Sequence, residues 1–347
     1  MTDREPSIIQ LTIAIPTWNR ADYLRLNLVQ LAKELKTIPP DKVELFISDN
    51  ASTDATASVV QEFIDHGIPL RYIRNPENIG SDHNIAQCFN EASGRYVLIL
   101  GDDDLLIDGT LAKILAIIQQ DDYGVIFLRP YGYNEDFRME YPGHYERKPR
   151  ILKPGKFIVK LGSHSTLISS CIIGKHLLPG MDARQYCDTN LVQSYLIYQA
   201  ALRAGTNVYC ESYSVACKRN NSGGYSITKV FINNFWAIID RFKFDIGSEN
   251  IRQLAKQMLL RFYPFYVWKQ RLKPEDSNLE EDYQRFYNRF HNNIWFWIMI
   301  APLYKLPRIP AIIWGAVAVT LGRAATGDAW RGIYFGWNAL RKKLRPQ

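Results

Sequence analysis

The sequence predicts an α/β protein: a mostly parallel sheet flanked by helices, followed by a helical C-terminal appendage. Three observations carry that prediction. Apolar runs of strand length alternate with helical segments five times in the first 130 residues, the order of a doubly wound sheet covered on both faces. The polar motifs of this half each follow a strand, where such sheets bind ligands. Beyond residue 240 the pattern turns helical, then apolar and basic.

Residues 11–15 (LTIAI) read as a strand that Pro16-Thr17 ends. Residues 21–36 set Leu24, Leu28, Leu31 and Leu35 on one helical face, with Arg25 and Lys33 off it. Pro39-Pro40 breaks that helix. Residues 43–48 form a second strand, and Thr53 or Asp54 caps a helix running to about Asp65. A third strand spans 70–74, and Ser81 or Asp82 opens a helix to about Ala92. A strand over 96–100, a helix over 109–120 and a strand over 124–129 complete the alternation. Farther on, 156–161 reads as helical, 166–173 as a strand, 189–203 as a helix and 208–217 as a strand. Residues 218–226 (KRNNSGGYS) are a turn-rich loop, and 231–240 and 249–266 are helical.

The strand over 96–100 ends at Gly101 and delivers three consecutive carboxylates, Asp102, Asp103 and Asp104. Like charges placed straight after a buried strand need neutralising. Bunched carboxylates suit a hard divalent cation, which takes oxygen ligands and often bridges phosphates. Taken alone, the same run also reads as a solvated acidic turn before the next helix.

Length allows one large domain with an appendage. The divisions fall at 1–130, 131–240 and 241–347. Neither GxGxxG nor GxxxxGK[ST] occurs, which argues against a dinucleotide-binding dehydrogenase and a P-loop NTPase. Five cysteines without a CxxC pair predict free thiols in a reducing cytosol, and the N-terminus shows no secretory signal pattern. The formal charge is +7, and residues 301–347 hold eight Lys or Arg against Asp328 alone. That placement argues against a nucleic-acid binder and for anionic lipid. The tail carries two apolar runs, 294–304 and 309–322, neither reaching the roughly 20 residues needed to span hydrocarbon. Trp295, Trp297, Trp314, Trp330 and Trp337 with flanking Lys and Arg favour a membrane interface. A packed helical subdomain or an oligomer contact would use the same residues.

IPTWNRADYL, SDNASTD, NIGSDHN and LGDDD, in this order on these strand ends, resemble family 2 glycosyltransferases of the GT-A, Rossmann-like fold. The resemblance covers about residues 9–240. It extends to bacterial enzymes that build O-antigen and other surface polysaccharide, such as abequosyl- and rhamnosyltransferase-like members. It implies an inverting transfer from a nucleotide-diphospho-sugar to a saccharide acceptor. The tail adds the expectation that the acceptor is polyprenyl-diphosphate-linked, at the inner face of the cell membrane.

In that family Pro16, Thr17, Asn19 and Arg20 would line the nucleotide site, with Arg20 on the diphosphate. Asp49 would accept from nucleobase or ribose, while Asn78, Gly80 and Asp82 would floor the sugar site. Asp102 and Asp104 would form the DXD motif that holds Mn²⁺ or Mg²⁺, Asp102 also serving the ribose. The triple run leaves the register open, since Asp103 can take either part. A general base belongs in the acceptor half, where Asp188 and Asp182 are the candidates and His164 is a third. Asp188 is equally placed to cap the helix expected from Thr189. Lys218 and Arg219 could close over the diphosphate. Nucleotidyl transfer to a sugar phosphate, and a non-catalytic membrane-associated scaffold, are the alternatives. The first would need a Gly-rich basic loop where IPTWNR stands; the second does not explain acidic residues at the strand ends.

Overall fold

The computed structural model describes residues 9–143, 147–219, 226, 228–272 and 278–325. The chain forms two compact units, Met1–Tyr225 with Ile238–Ile246, and Ser226–Ala237 with Gly247–Gln347.

The first unit is built on a nine-stranded sheet. Its elements in order are β1 Leu11–Thr17, α1 Ala21–Leu35, β2 Val43–Asp49, α2 Thr56–Asp65, β3 Leu70–Arg74, α3 Ser81–Glu91, β4 Tyr96–Ile99, β5 Leu105–Leu106, α4 Thr110–Ile118, β6 Val125–Tyr133, β7 Arg150–Leu152, α5 Pro154–Leu161, β8 Cys171–Gly174, α6 Val192–Arg203 and β9 Asn207–Lys218. The strands run β3-β2-β1-β4-β8-β6-β9-β5, with β7 on the start of β9. β1, β2, β3 and β4 pair in parallel, as do β6 and β9. β8 runs antiparallel between β4 and β6, so those two still point the same way. The sheet is thus the mostly parallel one that the alternation predicted, with β5, β7 and β8 as antiparallel members. Its main strands nonetheless bring their carboxyl ends to one edge.

The core repeats the apolar pattern of the sequence. Leu24, Leu28 and Leu31 of α1 are buried against Leu11, Ile13 and Ile15 of β1 and against Ile114 and Ile118 of α4. β1 continues through Pro16 and Thr17 rather than stopping before them. Proline is tolerated there because β1 pairs with β4 only as far as Ala14, so no partner on that side needs its missing N–H. Ala55 is the N-cap of α2, and Asp54 ties the starts of α1 and α2 together. Its Oδ2 accepts from the N–H of Ala21 at 3.0 Å, and its Oδ1 from the N–H of Thr56 at 3.0 Å.

Two expectations are corrected, and one strand was not anticipated. Residues 166–173 are not one strand: two 3₁₀ turns, Gly162–Thr166 and Ile168–Ser170, precede β8. Ser165, Thr166 and Ser170 donate to the carbonyls of Gly162, Ser163 and Leu167 three residues back, offering the backbone a local alternative to a ladder. β5 was not legible, being two residues long. α6 starts at Val192 rather than Thr189, because Asp188 and Asn190 are left-handed, with φ of 66° and 56°. Asp188 is not its cap.

The second unit is helical. Pi-helical turns at Lys229–Asn234 and Met258–Phe262 interrupt its helices. The second apolar run forms one 18-residue helix, Arg308–Ala325, with Pro310 tolerated in its first turn. By length and composition this helix is long and apolar enough to cross a membrane, which corrects the shorter span expected from the sequence. Trp330, Trp337 and most of the KRNNSGGYS loop lie outside the described residues.

Candidate active site

The turn carrying the three aspartates is pinned from five sides. Leu100 donates its N–H to Ala14 of β1 at 2.9 Å, keeping the turn beside the end of that strand. From α1, Asn27 Nδ2 donates to the carbonyls of Gly101 at 3.1 Å and Asp104 at 2.6 Å. Ser169 Oγ accepts the Gly101 N–H at 2.9 Å, and Tyr133 Oη, at the end of β6, donates to the Asp103 carbonyl at 3.0 Å. Directly after the turn, β5 pairs with Val215 and Ala216 of β9.

The carboxylates have separate partners. Asp102 is buried; its Oδ2 accepts from Thr17 Oγ1 at 2.8 Å and its Oδ1 lies 3.3 Å from Arg20 Nε. Asp103 Oδ2 pairs with the other arm of Arg20 at 2.8 Å. Asp104 Oδ1 accepts the Lys218 N–H at 3.1 Å, at the end of β9. Burial pushes the Asp102 carboxyl up to about 7, against the pull of Arg20. Burial, with repulsion from Asp103, pushes Asp104 up to about 7 as well. The cluster is thus short of positive charge.

That shortage is a test of fit for a divalent cation. A Cβ on Gly101 would lie 3.2 Å from Asp103 Oδ1, 3.3 Å from Ser169 Oγ and 3.4 Å from Asp104 Oδ2. Two carboxylate oxygens and a hydroxyl therefore face one small space that glycine leaves open. Among the described residues no three His, Cys, Asp or Glu side chains form a metal cage. The donor set fits Mg²⁺ or Mn²⁺ that takes its remaining oxygens from phosphate and water, as magnesium commonly does.

The neighbouring strand ends are tied to this turn. Asn19 is left-handed at φ 52°; its N–H donates to Ser52 Oγ at 2.9 Å and its Oδ1 accepts the Thr53 N–H at 2.7 Å. Asp49 is fully buried, its Oδ1 accepting from the Ser52 N–H at 2.9 Å and its Oδ2 from Tyr72 Oη at 2.6 Å. Burial and this carboxylate push the Tyr72 hydroxyl up. Pro16 pairs in register with Ser48 just before these ends. Asn50, which sequence reasoning did not single out as a site residue, is a hub: its Nδ2 donates to Asn78 Oδ1 at 2.7 Å and its Oδ1 accepts the Ile79 N–H at 2.9 Å. Asn78 Oδ1 also accepts the Gly80 N–H at 2.9 Å, and Gly80 takes φ 86°, which only glycine adopts freely.

At the start of α3, Asp82 Oδ2 accepts the N–H groups of Thr189 at 2.8 Å and Asn190 at 2.7 Å. Asp188 therefore stands on a turn fixed to the start of α3, with its carboxylate 92% exposed and 4.0 Å from His83 Nε2. The structure does not bring Asp182 to this place. Asp182 caps the 3₁₀ turn Ala183–Tyr186 and accepts from Asn90 at 2.6 Å, about 12 Å along α3 from Asp82. His164 directs Nδ1 at the Leu161 carbonyl at 3.0 Å and packs edge-on against Phe127. The Lys218 ammonium sits over the Tyr133 ring at 5.0 Å, and Arg219 pairs with Glu140 at 3.3 Å. Ser169, Asn27 and Tyr133 were not singled out either. Asn27 is one of three polar residues of α1, with Gln30 and Glu34, that are buried beside Leu28 and Leu31.

A family model, "Glycosyl transferase family 2", matches residues 12–176, the span from β1 to just beyond β8 and including the aspartate turn. Residues 12–176 belong to glycosyltransferase family 2. The abequosyltransferase RfbV of Salmonella typhimurium is 35% identical over 118 residues, 33% of this chain and 34% of that protein. The Campylobacter jejuni GalNAc(5)-diNAcBac-PP-undecaprenol beta-1,3-glucosyltransferase is 32% identical over 110 residues, 30% of this chain and 33% of that protein. The chain thus matches about a third of the length of these curated relatives. Staphylococcus aureus TarS 1–349, solved in complex with UDP-GlcNAc, superposes with a TM-score of 0.63 at 17% identity, covering 92% of each chain. That likeness establishes a GT-A α/β fold around the family 2 domain.

Proposed function

We propose that this protein transfers a sugar, with inversion, from a nucleotide-diphospho-sugar to a saccharide acceptor in bacterial surface-polysaccharide synthesis. The acceptor is linked to a polyprenyl diphosphate, and the enzyme works at the inner face of the cell membrane. The observation that carries the reading is the aspartate turn, clamped between the ends of β1, β6 and β9 and short of positive charge. Names of relatives support the substrate classes: RfbV is an abequosyltransferase, and the Campylobacter enzyme is named for a polyprenyl-diphosphate-linked saccharide.

In this reading Asp104 holds Mn²⁺ or Mg²⁺. The Gly101 cradle favours Asp103 Oδ1 as its neighbour over Asp102. When bound, the cation offsets charge on the departing diphosphate. Thr17 and Arg20 hold Asp102 toward the ribose. Arg20, 29% exposed, also reaches the diphosphate. Asp49 and Asn50 shape the base and ribose end, and Asn78 with Gly80 the sugar floor. Asp188 takes the proton from the acceptor hydroxyl as it attacks opposite the leaving group.

The test is transfer or hydrolysis of nucleotide sugars with and without Mn²⁺ or Mg²⁺. We expect activity that needs the cation and falls by about a hundredfold or more in Asp104→Ala. Full activity in Asp104→Ala would overturn the metal assignment. Failure of every nucleotide sugar, with sugar phosphates turned over instead, would overturn the transferase reading.

A further inference from the structure

The helix Arg308–Ala325 has two opposed faces. Ala311, Gly315, Ala318 and Gly322 are buried. A Cβ on Gly315 would come within 2.1 Å of Trp268, and one on Gly322 within 1.8 Å of the Leu260 carbonyl oxygen. Trp268 Nε1 also donates to the Ile312 carbonyl at 2.9 Å. This side therefore lies backbone-close on the helices before it. At 3.6 residues per turn, Ile309, Ile313, Val317 and Leu321 fall on the other side. All four are exposed, Ile309 by 72% and Ile313 by 62%. Trp314 Nε1 donates to the Ile298 carbonyl at 3.2 Å, so the segment Ile294–Met299, with exposed Ile294, Trp297 and Ile298, adjoins this helix.

We propose that the face formed by Ile309, Ile313, Val317 and Leu321 lies flat in the interfacial layer of an anionic bilayer and does not cross it. The inference deepens, and rests on, the placement of the enzyme at the inner face of the cell membrane in the proposed function. Charge identifies the occupant. No Asp or Glu occurs between Asp282 and Asp328, whereas Lys305, Arg308 and Arg323 lie before and along this helix; Arg285, in the same interval, is paired with Glu281 and Asp282. A carboxylate-free, cationic segment with an apolar stripe and interfacial tryptophans matches anionic headgroups over acyl chains. A protein groove would need no such charge bias. Spanning is disfavoured by the same contacts that expose the stripe. The helix is about 27 Å long, close to the hydrocarbon thickness, but a lone span must offer lipid all its faces. Here one face is occupied by Trp268 and the Leu260 backbone.

The test is flotation of the full-length protein with phosphatidylcholine vesicles, with and without phosphatidylglycerol. We expect binding that requires phosphatidylglycerol, is released by alkaline carbonate, and falls roughly tenfold or more in Ile313→Glu/Val317→Glu. Circular dichroism and melting should match wild type, since both residues are exposed. The milder Val317→Gln should show an intermediate loss. Vesicle binding unchanged in the double variant overturns the docking face. A dimer that becomes monomeric in that variant, without change in flotation, assigns the face to a second copy instead. Retention through carbonate overturns the in-plane orientation. Transfer to a water-soluble acceptor by the same variant is measured alongside. Its loss in wild type as well would fault the transferase reading and leave the membrane result standing by itself.

Discussion

Asp82 Oδ2 accepts the backbone N–H of Asn190 at 2.7 Å, joining the first turn of α3 to a loop 108 residues later. The same oxygen takes the Thr189 N–H. Two left-handed non-glycine residues, Asp188 and Asn190, flank these bonds, and each such conformation costs about 1–2 kcal/mol. Asp82 thus holds a strained turn that presents Asp188. The sequence placed Asp82 under the donor sugar; its observed bonds go to the loop that carries Asp188. Asp82→Ala should lower kcat roughly a hundredfold, since small misplacement of a reacting group has effects of that size. Asp82→Asn keeps an acceptor and should retain much of the activity. A raised donor KM with kcat unchanged in Asp82→Ala would instead indicate direct contact with the sugar.

Thr17 acts through Asp102. Its hydroxyl is buried and donates to Asp102 Oδ2 at 2.8 Å. Thr17→Val preserves shape and leaves that carboxylate oxygen without its donor. We expect a loss of about 1 kcal/mol in stability. In the proposed function Asp102 faces the ribose, so the donor KM should rise roughly tenfold while the Mn²⁺ requirement stays unchanged. Chemical denaturation, a donor titration and a metal titration measure these separately. A raised Mn²⁺ requirement would instead place Asp102 within the cation's reach.

Much of the sheet was legible because its strands are short apolar runs and its first helix repeats leucine at helical spacing. The site was legible where the chemistry is local: three carboxylates in a row, or Asn and Gly after a strand. What stayed hidden depends on pairing across sequence. β5 acquires its identity from β9, more than a hundred residues on, and β8 its antiparallel direction from β4 and β6 on either side. The 3₁₀ turns before β8 were masked by residues that also suit strands, until serine and threonine found their own carbonyls. The roles of Ser169 and Asn27 come from carbonyl and amide groups of the aspartate turn, which no side-chain pattern reveals.

Gly322 gives a prediction whose sign separates local from tertiary control. In an isolated helix, Gly→Ala stabilises by about 1 kcal/mol. Here the added carbon would sit 1.8 Å from the Leu260 carbonyl oxygen, a backbone atom that cannot rotate away. Gly322→Ala should therefore destabilise the C-terminal unit, by about 1–3 kcal/mol as for other overpacked sites. Thermal melting followed by circular dichroism reports it. A rise in melting temperature would mean that the helix stands off from Leu260.

Asp108 anchors the segment after β5 to α1. Its carboxylate pairs with Lys33 at 2.7 Å, and accepts from Gln30 at 2.8 Å and Arg138 at 3.2 Å. The Lys33 bond leads these in holding the carboxyl down to about 2, below the ordinary value of about 3.9. A folded-state value below the unfolded one means the contribution is present above about pH 4 and is lost as pH falls toward about 2. Because the group is partly exposed, its size should stay at or below about 1 kcal/mol and shrink in salt. Asp108→Asn should melt slightly below wild type at neutral pH, and the two melting curves should converge through the acid window. A gap that persisted at pH 2 would show that Asp108 acts through hydrogen-bond geometry rather than charge.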